Sequence, residues 1–362
     1  MNRAELYSWQ TEVLQCFRCL GKWQALSLAL FSYGVMVGGR SQVQAVAECL
    51  VMAGSVESVK KRLKRWLANE RIEVKVCCEA WVRWVCQQVE EVVLLVDETK
   101  LGAHLSVMMV GLAYRGRCIP LVWRCYQGQA YPAEGQVALI NGLLRVVAAG
   151  LPTGCVPLLQ ADRGLGTSPT LVQAVKRLGW RFLFRVQGST QLITRCRRVW
   201  TLGAQPSGWS ATGLAFSKRG RLRATAFVFR AFGQTEPWCL ITNDPRLSVD
   251  AYALRGWQEH SFRDLKSGGW QWQRSQVWQP DHAQRLLLVL AVAYARLLTI
   301  GVQTTLEVLE PDPLTFLWRP HPVRSLFQVG LAFFRRCLWS GFPTAVPFRL
   351  LPWSGFPSQL LC

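Results

Sequence analysis

Two short apolar runs each end in an aspartate: VVLLVD, closing at Asp97, and CVPLLQAD, closing at Asp162. The runs are continuous rather than alternating, which suits strands covered on both faces. A sheet covered on both faces needs helices packed against it, so the chain is expected to be α/β. In open sheets of that kind, ligands gather outside the carboxyl ends of the strands. If the two strands are neighbours, Asp97 and Asp162 meet at such an end.

The segments around these runs fit a mixed sheet. HLSVMMVGLAY and CIPLVWRCY flank Arg115-Gly116-Arg117, the pattern of a hairpin. Val137, Ile140, Leu143, Leu144 and Val147 recur at helical spacing before the stop signals Gly150 and Pro152. Ser168-Pro169 opens a further helix as N-cap and first position, and RFLFRVQ reads as the next strand. Residues 189–246 break the rhythm with short alternating runs, a β-rich insertion. The run Leu286–Ala295 lies between Arg285 and Arg296 and has ten residues. A bilayer span needs about 20, so it is expected to be a buried core helix and no membrane partner is expected.

Lys and Arg outnumber Asp and Glu by 42 to 22, a formal charge of +20. That balance favours a polyanionic partner, with nucleic acid ahead of an anionic membrane surface. The first residues show no apolar stretch after the early charge, so no signal peptide is expected. Among 13 cysteines, Cys16 and Cys19 form one CxxC, but no second pair follows at zinc-finger spacing. Reduced thiols, many of them buried, are the expectation. Residues 1–88 read as helical and basic. In AGSVESVKKRLKRWLANE, Gly54 and Ser55 break and cap. Lys60, Lys61, Arg62, Lys64 and Arg65 load the helix that follows. Two short helices with a basic second member outline a helix-turn-helix, although a solvated basic face reads the same way.

The stretch YALRGWQEHSFRDLK, Tyr252 to Lys266, carries the third acid. At about 100° per residue, Tyr252, Arg255, Glu259 and Lys266 fall within roughly 60° of one another. Leu254, Trp257, Ser261 and Leu265 take the opposite side. One helix face then carries an acid, two cations and a phenol. Three hard carboxylates converging from Asp97, Asp162 and Glu259 would suit Mg²⁺ or Mn²⁺ in phosphoryl transfer. Each acid also has an ordinary reading, as a turn former or a surface ion pair.

These residues resemble the DDE transposases of bacterial insertion sequences, in the subgroup marked by Tyr-x2-Arg-x3-Glu-x6-Lys, an insertion-sequence-four-like family. The signature is present at Tyr252, Arg255, Glu259 and Lys266, with LLVDETKLG, GRCIPLVW, LLQADRGLG and WQEHSFRDLKSGGW around it. The resemblance spans about residue 20 to 300. It implies a ribonuclease H-like mixed sheet with flanking helices, a β-rich insertion and an N-terminal helical domain. The expected organisation is an N-terminal DNA-binding domain over 1–88, a catalytic core over 89–188 and 247–302, an insertion over 189–246, and a dimerisation region or tail over 303–362. The resemblance implies that Asp97, Asp162 and Glu259 hold two Mg²⁺ ions, with Mn²⁺ an acceptable substitute. Tyr252, Arg255 and Lys266 would hold DNA phosphates. The implied substrates are double-stranded DNA at the transposon terminal inverted repeats and target DNA. A homodimer on DNA and a bacterial, nucleoid-associated cytoplasmic location are also implied. A hairpin route would need a tryptophan to stack a flipped base, and Trp200, Trp209 and Trp257 are candidates. An inactive, repurposed DNA-binding protein and a nuclease that cuts without joining are the alternatives. WSGFP occurs at 339–343 and again at 353–357, and the sequence offers no account of it.

Overall fold

The computed structural model describes residues 3–87, 89, 91–128, 131–216, 220–230, 236–307, 324–344 and 346–353. Helices α1 (Arg3–Cys16), α2 (Lys22–Gly38), α3 (Val43–Glu48), α4 (Val56–Leu67) and α5 (Val74–Cys86) precede the sheet. Ser55 caps α4 by accepting from the Ser58 N–H at 3.3 Å. Gly54, at φ 139°, lies between the short turn that ends α3's region and that cap.

Strands β1 (Val93–Leu101), β2 (Leu105–Tyr114) and β3 (Arg117–Gln127) form an antiparallel meander. The β2–β3 turn is Arg115-Gly116, both at positive φ (45° and 87°), the backbone hand that matches strand twist in a tight hairpin. β1 also pairs in parallel with β4 (Leu158–Ala161), and β4 with β5 (Arg181–Arg185). Helix α6 (Gly135–Gly150) lies between β3 and β4, and α7 (Arg163–Gly166) and α8 (Pro169–Arg177) between β4 and β5.

The alternating strands read from the sequence as an insertion do not form a sheet of their own. β10 (Trp238–Thr242) pairs with β5, and β9 (Leu222–Phe229), β8 (Trp209–Ala215), β6 (Gln191–Ile193) and β7 (Val199–Thr201) extend the same edge. The ten strands run β3-β2-β1-β4-β5-β10-β9-β8-β6-β7. This mixed sheet with flanking helices is the ribonuclease H-like class expected.

Strand alternation sorts β1 between two cores. Leu94 and Val96 join the large cluster that includes the α10 side chains Leu286 to Leu298. Val93 and Leu95 face a smaller cluster with Leu158, Tyr252 and Leu254. α10 (Pro280–Glu307) is far longer than its apolar run. It is long and apolar enough to cross a membrane by composition, but 94% of that apolar window is buried inside the protein, as befits a core helix apolar all round.

Two local expectations need correction. Asp97 does not end its strand: β2 keeps β1 paired to Leu101, whereas β4 stops at Ala161, opposite Val96. Nor is Tyr252–Lys266 one helix. Val249–Arg255 is a 3₁₀ segment, α9 spans only Gly256–Leu265, and Lys266 leaves it at φ −96°, ψ −124°. The first WSGFP copy closes the helix Leu326–Ser340, with Gly341 in the left-handed conformation that stops helices. Of the second copy, Trp353 packs against Trp257 at 5.4 Å. The remainder of that copy lies outside the described residues.

Candidate active site

The parallel pairing of β1 with β4 positions the first two acids. Val96 lies opposite Ala161, so Asp97 and Asp162 are the next residues along adjacent strands. There β4 ends, and the Asp162 Oδ1 caps α7 by accepting from the Leu165 N–H at 3.0 Å. Glu259 enters from the first turn of α9.

All three carboxylates meet one guanidinium. Arg255 Nη2 lies 2.9 Å from Asp97 Oδ2 and 3.8 Å from Asp162 Oδ2, and Nη1 donates to Glu259 Oε1. Side-chain exposure rises from 15% at Asp97 to 37% at Asp162 and 58% at Glu259, so the cluster opens to solvent on the α9 side. Burial pushes the Asp97 carboxyl up to about 6; Arg255 opposes that rise, and Asp162 and Glu259 add to it. Burial works against the charge on Arg255, but Asp97 and its other anionic neighbours outweigh it and hold the guanidinium above its ordinary pKa.

This donor set suits a divalent cation. It offers hard oxygens of like charge that already share a cation. No three acidic, histidine or cysteine side chains among the described residues form a ready metal-ligand set, and Arg255 stands among the acids. A metal held by these acids would compete with the guanidinium, which gives a test. Arg255→Gln should melt below the wild type without metal, by on the order of 2 kcal/mol in stability. Saturating Mn²⁺ should then raise the variant's melting temperature by more than it raises the wild type's, because no ion pair has to be broken. Equal shifts in a thermal-melt titration would show that ion and guanidinium do not compete.

The other two signature side chains are engaged inside the protein. Tyr252 is buried beneath Trp238, and its hydroxyl points to the Ala161 carbonyl at 3.4 Å, one residue before Asp162. Burial pushes its phenol up. Lys266 Nζ donates to Thr99 Oγ1 and to the Lys100 carbonyl at 2.8 Å, and burial lowers its pKa. Arg255 and Lys266 thus reach β1 from opposite ends of α9.

Sequence reasoning missed the groups that seat α9. Ser261 Oγ accepts from the Cys118 N–H at 2.7 Å, and Gln258 Nε2 donates to the Met109 carbonyl at 3.3 Å. Asp264 accepts from Arg117 Nε at 2.7 Å and from the Tyr294 hydroxyl at 2.8 Å. These polar side chains lie on the face assigned to apolar packing. The one available signal was an Asp five residues after Glu259, on the other side of the helix.

The basic residues of α4 divide between two surfaces. Lys60 and Lys64 line a groove shared with residues 273–279, and Lys61, Arg62 and Arg65 line a second beside Trp23. Arg62 Nε donates to Ser27 Oγ at 3.1 Å, and Lys60 pairs with Glu57 at 3.3 Å.

Residues 90–296 match a family model described as the transposase DDE domain. That span includes Asp97, Asp162 and Glu259 and excludes α1 to α5. No curated protein matches the chain.

Proposed function

Because the chain belongs to the transposase DDE-domain family, we propose that it cuts DNA at the ends of its own mobile element and joins them to target DNA. The observation that carries this reading is the meeting of Asp97, Asp162 and Glu259 on one guanidinium. Three acids far apart in sequence, one on β1, one just past the end of β4 and one on α9, converge on a single cation beside the central strands, with Glu259 open to solvent. The family acts on DNA with divalent metal. In this reading the three acids would hold two Mg²⁺ ions, which would supply positive charge at the scissile phosphate.

The remaining roles belong to the chain's own side chains. Arg255, once released from the acids, and Lys266 offer charge to the phosphates beside the cut. Tyr252 braces the β4 end that presents Asp162. The sequence between Arg163 and Thr235 contains no Asp or Glu, so the β6–β9 edge is uniformly cationic and suited to a DNA backbone. We place the chain in the Tyr-Arg-Glu-Lys subgroup, acting as a homodimer on terminal inverted repeats at the bacterial nucleoid. The cut-and-paste route would run through a hairpin intermediate. Trp200 packs on Trp209 at 5.8 Å with Arg198 over its ring, so that pair would have to part to take a flipped base.

The reading is tested with duplexes made from the DNA flanking the gene, a supercoiled target plasmid and Mg²⁺. Breaks at the element ends followed by joined products are expected. Breaks without joining would support a nuclease instead, and binding without breaks a repurposed DNA-binding protein.

A further inference from the structure

α9 carries two acids, and they face different surroundings. Glu259 has a side chain 58% exposed and pairs with Arg255, four residues before it. Among the described residues no hydrogen bond ties its carboxylate to the sheet. Asp264, five residues further on, has a side chain only 7% exposed. At about 100° per residue, the two lie roughly 140° apart around the helix. Whatever holds Asp264 therefore fixes how α9 is turned, and with it where Glu259 stands.

Two other elements hold it. Asp264 Oδ2 accepts from Arg117 Nε at 2.7 Å, at the start of β3, and from the Tyr294 hydroxyl at 2.8 Å, inside α10. The same hydroxyl lies 3.1 Å from Ser261 Oγ, which accepts from the Cys118 N–H one residue after Arg117. β3 is an edge strand of the sheet, so α9 is pinned between that edge and the core helix. The pins are polar where apolar side chains of similar volume would hold the helix about as firmly, since a buried ion pair adds little net stability. What such a pair adds is one definite orientation: a turned α9 would strand a carboxylate and a guanidinium without partners. Orientation matters at this place. With the Glu259 carboxylate about 6 Å from the helix axis, turning α9 by about 20° moves it by roughly 2 Å. A misplacement of about 1 Å is enough to cost on the order of a hundredfold in rate.

We propose that Asp264, held by Arg117 and Tyr294, is a positioning residue: it fixes the rotation of α9 and so aims Glu259 at Asp97 and Asp162. The proposal rests on the metal-dependent reading above and adds what sets the third acid in place. It is tested on the full chain without DNA, by Mn²⁺ binding followed with electron paramagnetic resonance. The variant is Arg117→Met with Asp264→Leu, which removes both charges together so that neither is left buried alone. Its melting temperature should stay within about 3 °C of the wild type. Its Mn²⁺ affinity should fall by on the order of tenfold. In a Glu259→Gln background the same pair of changes should cost nothing further, because no charged third ligand remains to be aimed. With an element-end duplex, the Mg²⁺ concentration for half-maximal cleavage should rise by a similar factor.

A purely structural role would lower the melting temperature and leave the two Mn²⁺ losses equal. If the paired variant melts early, Tyr294→Phe, which removes one hydroxyl, carries the same cycle and should show a smaller loss that also vanishes with Glu259→Gln. Unchanged Mn²⁺ affinity, or an equal loss in both backgrounds, overturns the proposal while leaving the metal site intact. A wild type that binds no Mn²⁺ overturns the metal-dependent reading first.

Discussion

Asp97→Asn and Glu259→Gln should each slow DNA cleavage by roughly a thousandfold or more while leaving DNA affinity in EDTA within a few-fold. Each change keeps the side chain's shape and removes one hard, charged ligand. A bound metal contributes several kcal/mol of charge stabilisation in the transition state, and about 4 kcal/mol corresponds to three decades in rate. The stability effect should run the other way. Burial has pushed Asp97 up to about 6, so its ionised form is a strained tenant of the β1 tip at neutral pH. The Asn variant should therefore melt no lower than the wild type, the usual trade between a charged site and a stable one. Asp162→Asn should behave likewise in cleavage, because Asn caps a helix as well as Asp and α7 would keep its first turn. The measurements are single-turnover cleavage of a duplex carrying the element end, and fluorescence anisotropy without metal. An acid variant that cuts within tenfold of the wild type would sink the assignment of that acid.

Much of this site was legible because apolar strands announce themselves. VVLLVD and LLQAD suited buried strands, and neighbouring strands bring their following residues together. What stayed hidden was decided by tertiary partners. DETKL after Val96 is polar, and only pairing with β2 keeps it in β1, so Asp97 was read as a strand end. The stripe from Tyr252 to Lys266 was drawn on one α-helix. The chain instead tightens into a 3₁₀ segment as far as Arg255, where residues three apart eclipse one another. That keeps Tyr252 and Arg255 on one side while packing Tyr252 into the core beside β1 and β4. Arg255 and Glu259 still meet the two aspartates although the single helix was wrong. The continuation of the sheet through β10 could not be read, since alternating strands specify a half-buried face but not a neighbour. The guanidinium among the acids was equally invisible, because spacing alone cannot tell a phosphate clamp from an ion pair.

Arg296→Ala should be the most destabilising single change outside the active site. In the sequence this arginine only bounded an apolar run. In the structure it is enclosed in α10, 3.4 Å from Glu5 and 3.6 Å from Glu12 of α1. It also donates to the Val346 carbonyl and the Thr344 hydroxyl. Glu5 in turn accepts from the Thr344 N–H and hydroxyl, and Glu12 from the Phe348 N–H at 3.2 Å. One cation thus joins the first helix, the core helix and the segment after the last. Removing it leaves two carboxylates with little solvent and no counter-charge, a loss of about 3–5 kcal/mol, or a fall of about 4–7 °C in melting temperature. The pH dependence has a definite sign. Burial already raises the Glu12 pKa, and Arg296 is the chief influence holding it down. Without Arg296 the folded state binds protons more tightly than the unfolded chain, so stability should fall as pH rises. The deficit of Arg296→Ala against the wild type should be largest near pH 7 and shrink toward pH 5. Adding Glu5→Gln and Glu12→Gln should recover much of the loss, because a neutral cluster no longer needs the cation. Melting curves of the wild type, the single variant and the triple variant across that pH range decide it. A single variant within about 1 °C of the wild type at pH 7 would show that the fold does not depend on this cation.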